Sequence, residues 1–179
     1  MGNEQQQGPP EKGEKYQIIA LQNLIKNAFP PQRYEGAITP VDGESAPELD
    51  EEQGLYDALN GKDWTQVPEE VIGSNPDGVV LLSDEAFAAF LPAWLIRSLD
   101  VINDENEVRE LIIYTLGGSG GEPPSDRIRR RLQALNSDQR QAVRQTVALF
   151  STIERDPFIR AQAEKALNVL DSLPTSPVN

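Results

Sequence analysis

Apolar residues recur at helical spacing along most of the chain. From Tyr16 to Phe29, Ile18, Leu21, Ile25 and Ala28 fall on one face and Gln22, Asn23 and Lys26 on the other, which predicts a helix stopped by Pro30-Pro31. A Gly- and Pro-rich loop follows to Pro47, then a helix from Glu48 to Leu59 with Glu48, Asp50, Glu51 and Glu52 at its positive end. The clearest stripe is Phe87, Phe90, Leu91, Trp94, Leu95, Ser98 and Leu99, opened by Ser83 as a cap. Pro92 interrupts it, so that segment reads as one kinked helix or two abutting helices.

Asn103 or Asp104 can cap the next helix, whose inward face is Val108, Leu111, Ile112 and Leu116. Three more helices follow: Ser125 to Leu135, Ser137 to about Glu154, and one capped by Asp156 with Pro157 at its permissive first position. Their inward residues are Ile128, Leu132 and Leu135, then Val143, Val147 and Phe150, then Ala163, Ala166, Leu167 and Leu170. Residues 62–82 lack a clear period. Trp64 is expected in the core and Pro68-Glu69-Glu70 can start a helical turn. Val71-Ile72 and Val79 to Leu82 around Gly-Ser-Asn-Pro-Asp-Gly fit a short β-hairpin near 71–82 or an irregular loop.

The expected fold is mainly α, a compact bundle-like domain of five to seven helices over residues 16–173. Gly117 to Pro124 forms a flexible Gly-rich loop within it. Residues 1–15 and 174–179 carry too little apolar surface to offset their ordering entropy and read as disordered tails.

Composition narrows the chemistry. The 179 residues include no Cys and no His, which excludes disulfides, thiol nucleophiles, imidazole bases and the usual zinc ligands. No secretory signal or membrane-length apolar run is present, so a cytoplasmic protein is expected. There are 29 acidic and 16 basic residues, a net charge of −13. Residues 1–116 hold 22 acids and 7 bases, and residues 117–179 hold 7 and 9, so the surplus lies before the glycine loop.

Each suggestive cluster has a structural explanation. Gly117 to Gly121 is followed by Glu122-Pro123-Pro124, where a phosphate loop needs Lys and Ser/Thr, so it reads as a linker. Asn103 to Glu107 lacks the central glycine of a calcium loop and reads as a capped helix start. Ser83 or Ser98 with Lys26 or Lys62 has no strained nucleophile turn around either serine. Arg127, Arg129, Arg130 and Arg131 form the one basic cluster. In a chain this acidic they are expected to pair with acidic helices rather than with nucleic acid.

The acidic surplus itself reads as solubility or as a docking surface for a basic protein partner. On the docking reading the chain is a non-catalytic interaction protein, immunity-like or regulatory, needing no cofactor or metal. Its partner-facing residues are then Glu48, Asp50, Glu51, Glu52, Asp104, Glu105, Glu107 and Glu110. The alternative is a hydrolase-type enzyme working through carboxylates and magnesium.

Five stretches carry a resemblance: Gly61 to Trp64, Leu82-Ser83-Asp84-Glu85-Ala86-Phe87, Phe90-Leu91-Pro92-Ala93-Trp94-Leu95, Ser98-Leu99, and Ser137 to Val143. In these the chain resembles a family of small, uncharacterised bacterial proteins over about residues 16–170. Phe90 to Leu95 is the most specific part. The resemblance implies no activity, and the matching residues are of capping and core types.

Overall fold

The computed structural model describes residues 12–40, 49–100, 107–119 and 122–174. Nine α-helices and one 3-10 turn make up its regular structure, with no strand among the described residues. The helices are α1 (Lys12–Ala28), α2 (Leu49–Leu59), α3 (Glu69–Ser74), α4 (Gly78–Leu81), α5 (Asp84–Ser98), α6 (Glu107–Gly117), α7 (Asp126–Ala134), α8 (Ser137–Ile153) and α9 (Pro157–Ser172), with the 3-10 turn at Trp64–Gln66. The expectations for residues 1–11, 41–48, 101–106, 120–121 and 175–179 lie outside the described residues. The first helix begins at Lys12, inside the segment expected to be tail.

Helix α5 is the centre. Ser83 Oγ accepts the Ala86 N–H at 3.1 Å and donates to the Ala37 carbonyl at 2.6 Å, so one hydroxyl caps the helix and ties down the loop after α1. The helix runs unbroken through Pro92, which answers the choice between one helix and two. Its aromatic stripe is core: Phe87, Phe90, Leu91, Trp94, Leu95 and Leu99 have essentially no exposed surface. The indole N–H of Trp94 donates to the Pro76 carbonyl at 2.9 Å, and that of Trp64 to the Phe29 carbonyl at 2.8 Å, so both large rings are buried with their polar atoms satisfied.

The hairpin considered for 71–82 is replaced by two short helices, α3 and α4. Pro68 precedes a first turn carrying Glu69 and Glu70, which favours a helix start. The Asn75-Pro76-Asp77 turn then delivers its carbonyl to Trp94. Gly78 sits so close to Leu55 and Trp94 that an added Cβ would lie 3.0 Å and 3.4 Å from them. Burial of Ile72, Val79 and Leu82 against α5 decides the local conformation there.

The later helices follow the predicted pattern closely. Ser125 caps α7, Asn136 and Gln139 form a reciprocal box at the start of α8, and Asp156 caps α9 ahead of Pro157. Helix α9 packs on α6 and α8, and α1 packs on α8 and α5. At the end of α6, Gly117 and Gly118 are close-packed. An added Cβ on Gly117 would come within 2.7 Å of the Gln162 carbonyl of α9, and Gly118 turns the chain at φ 84°.

Two buried arginines grip α5 at its ends. Arg131 of α7 donates to Asp84 Oδ1 at 2.8 Å, to the carbonyls of Val80 and Leu82, and lies 4.8 Å over the Phe87 ring. Arg109 of α6 reaches the other end, donating to the carbonyls of Ser98 at 3.3 Å and Asp100 at 3.1 Å.

Candidate functional site

Helix α6 turns Val108, Ile112, Ile113 and Leu116 inward, which leaves Glu107, Glu110 and Tyr114 on an outward stripe at i, i+3 and i+7. Beside it runs the corner between α8 and α9. There the Glu154 N–H donates to the Phe150 carbonyl at 3.0 Å, closing α8. Asp156 Oδ1 accepts the N–H groups of Phe158 at 2.7 Å and Ile159 at 3.4 Å, opening α9. Arg109 joins the first of these carboxylates to the core: its Nη1 is 2.9 Å from Glu154 Oε1 and its guanidinium stacks 5.7 Å from the Phe150 ring. Both partners of that pair are nearly buried, so Glu154 is held in position.

The corner is electrostatically loaded. Much of Glu110 is open to solvent, yet partial burial pushes its carboxyl above the ordinary range. The charges of Glu154, Asp156 and Glu107 push the same way, against an opposing pull from Arg109. Tyr114, one turn on, is pushed up by burial and then by Glu110 and Asp156. Arg160 turns back to the Glu154 carbonyl, and the balance acting on Glu110 stays negative. Phe158, at the second position of α9 and two residues after Asp156, is 62% exposed. An exposed aromatic next to carboxylates is the composition of an anchor for a cationic partner.

The structure brings together only part of the predicted acidic set. Glu107 and Glu110 share the outward face of α6. Glu52 lies on α2 and accepts a hydrogen bond from Thr39 Oγ1 at 3.1 Å, while Asp50 and Glu51 fall in the first turn of the same helix. The charges acting most strongly on Glu110 include none from α2. Glu48, Asp104 and Glu105 lie outside the described residues. Glu154, Asp156 and Phe158 were not among the predicted residues. The signal for Phe158 is its position off the Ala163, Ala166 and Leu170 stripe, which marks a large apolar residue facing away from the core.

The arginine cluster divides by helical face. Arg127 and Arg131, four apart, turn inward. Arg127 donates to Asp84 Oδ1 at 3.3 Å and to the Leu82 carbonyl at 2.9 Å, beside the Arg131 contacts. Arg130 faces solvent. Gly117 to Gly121 follows a helix, not a strand, so it lacks the setting of a phosphate loop. Among the described residues no group of three or more Asp or Glu is arranged to hold a metal ion, and no helix is long and apolar enough to cross a membrane. Compared with family models, with curated proteins and with solved structures, the chain matches none.

Proposed function

We propose that this chain is a non-catalytic interaction protein that docks a basic protein partner on the corner formed by α6 and the α8–α9 turn, in an immunity-like or regulatory role. The observation that carries the reading is that Phe158, 62% exposed, lies two residues past Asp156, whose charge acts on Glu110 together with that of Glu107. Burial raises the Glu110 pKa, and the like charges of Glu154, Asp156 and Glu107 add to it. A cationic partner would relieve that repulsion, so binding energy is available at this place in particular. Glu154, fixed by Arg109, adds a carboxylate of defined orientation.

The test is affinity capture from the native host with the wild type, Glu107→Lys/Glu110→Lys and Asp138→Lys. Asp138 lies at the start of α8, about 25 Å along that helix from the corner. The reading expects a basic partner that is released as salt rises, is lost with the corner variant and is retained with Asp138→Lys. A partner lost equally with both variants, or with neither, contradicts it.

A further inference from the structure

The outward face of α1 differs in character from the rest of this acidic chain. Ile18, Leu21, Ile25 and Ala28 are buried against the core, which leaves Lys15, Tyr16, Ile19, Ala20, Asn23 and Lys26 on the opposite side. Tyr16 is 75% exposed and Ile19 is 45% exposed, and no acidic residue interrupts the stripe. Neither lysine has an ion-pair partner among the described residues. A large aromatic and a branched aliphatic between two uncompensated cations form a face complementary to carboxylates around an exposed aromatic. The corner supplies Glu107 and Glu110 from the outward face of α6 and exposed Phe158 from α9, the helix packed on it.

We infer that α1 of one copy docks on the α6/α9 corner of a second copy, so that the chain associates with itself head to tail. This rests on the reading of the corner as a docking surface for a basic partner, and it names α1 of the same protein as such a partner. The two surfaces are different, so the contact is heterologous. A third copy adds as readily as the second, and mass grows past the dimer. Two bodies of charge −13 repel at long range, but the screening length is ~8 Å at 0.15 M salt against ~30 Å at 0.01 M. Association is therefore strongest at intermediate salt. It weakens when salt is removed, because net repulsion returns, and again in high salt, because the local attraction is screened.

Sedimentation equilibrium of the purified full chain at 0.01, 0.15 and 1 M salt tests this. It compares the wild type, Lys15→Glu/Lys26→Glu and Glu107→Lys/Glu110→Lys, each checked for native helicity by circular dichroism. The wild-type average mass is expected to rise above 19.8 kDa with concentration, most steeply at 0.15 M. Each variant alone is expected to associate at least about tenfold more weakly, because like charges then face each other. An equimolar mixture of the two variants is expected to recover association, since the basic α1 of one meets the acidic corner of the other. A monomeric wild type up to millimolar concentration, a variant that associates like the wild type, or a mixture that stays monomeric overturns the inference. An arginine-rich peptide separates this failure from failure of the docking reading. If the wild type is monomeric but the α1 variant binds the peptide and the corner variant does not, the corner docks basic partners and α1 is not one of them. If the peptide binds all three alike, the corner reading fails as well.

Discussion

Arg131 Nε donates to Asp84 Oδ1 at 2.8 Å from a side chain with no exposed surface, while Asp84 is about half open to water. The pair is unequal: the cation depends on the fold for its solvation and the anion does not. Asp84→Asn leaves a buried guanidinium facing only carbonyls and an amide, and is expected to cost about 2–3 kcal/mol. Arg131→Met keeps volume over Phe87 and removes the buried charge, so it is expected to cost less, about 1–2 kcal/mol, from the lost donors to Val80 and Leu82. The double variant is expected to cost little more than Arg131→Met alone, the difference being the 3.3 Å pair that Arg127 makes with Asp84. Urea unfolding of the four proteins closes the cycle, and additive costs would refute the coupling.

Acid sensitivity follows from the same pair. Burial pushes the Asp84 carboxyl up, but hydrogen bonds and charge from Arg131 and Arg127 outweigh it and hold the group below its ordinary 3.8. A carboxyl lowered by folding contributes stability above its unfolded pKa and loses that contribution as pH falls through the folded value. The stability gap between wild type and Asp84→Asn is expected to be constant above about pH 5 and to narrow below pH 3.8. Thermal melts across that range measure it.

Glu110 has the opposite sign. Its pKa is raised by burial and by Glu154, Asp156 and Glu107, so its ionised form opposes folding at neutral pH and its protonated form does not. Glu110→Gln is expected to raise the melting temperature at pH 7. The gain should fade as pH falls through the raised folded value toward the ordinary 4.5. A variant less stable than wild type at pH 7 would show that the carboxylate is satisfied in place.

The α6–α9 crossing depends on a glycine. Gly117→Ala would place a methyl 2.7 Å from the Gln162 carbonyl and 3.2 Å from the Ala166 nitrogen, both backbone atoms of a packed helix. It is expected to cost about 1–3 kcal/mol. Gly54 lies inside α2 with nothing within 4 Å of an added Cβ, so Gly54→Ala is expected to gain about 0.5–1 kcal/mol from backbone entropy and helix propensity. Chemical denaturation of the pair distinguishes steric crowding from a general effect of replacing glycine.

Much of the helical core was legible because its signals are local. Ser83, Ser125 and Asp156 cap where their side chains can reach nearby N–H groups, and the stripe from Phe87 to Leu99 is buried as its period requires. Residues 71–82 were not legible. Val71-Ile72 and Val79 to Leu82 are too short to show a period, and their helical form is decided by distant partners such as Trp94 and Leu55. Of the predicted acidic site, Glu107 and Glu110 emerge on one surface, while their neighbours Glu154 and Asp156 come from a corner more than 40 residues away. Local spacing carries no information about such a meeting. The burial of Arg131 within a run of four arginines was readable only as a helical face shared with Ile128 and Leu132.

Phe158 separates binding from folding. Its side chain is 62% exposed and caps nothing, so Phe158→Ala is expected to change stability by no more than about 0.5 kcal/mol. The same variant should weaken capture of a cationic partner about tenfold. Parallel melting and binding titrations check both halves, and an equal loss in each would assign Phe158 to the core.

The most direct measurement is chemical-shift mapping of the isotope-labelled protein titrated with an arginine-rich helical peptide. Docking at the corner predicts perturbations concentrated at Glu107, Glu110 and Tyr114 of α6 and at Glu154 through Ile159, saturating together and vanishing in Glu107→Lys/Glu110→Lys. Perturbations spread evenly over exposed acids such as Glu70, Glu85 and Asp138, or unchanged in that variant, would contradict a dedicated docking surface and leave the charge as a general property of the chain.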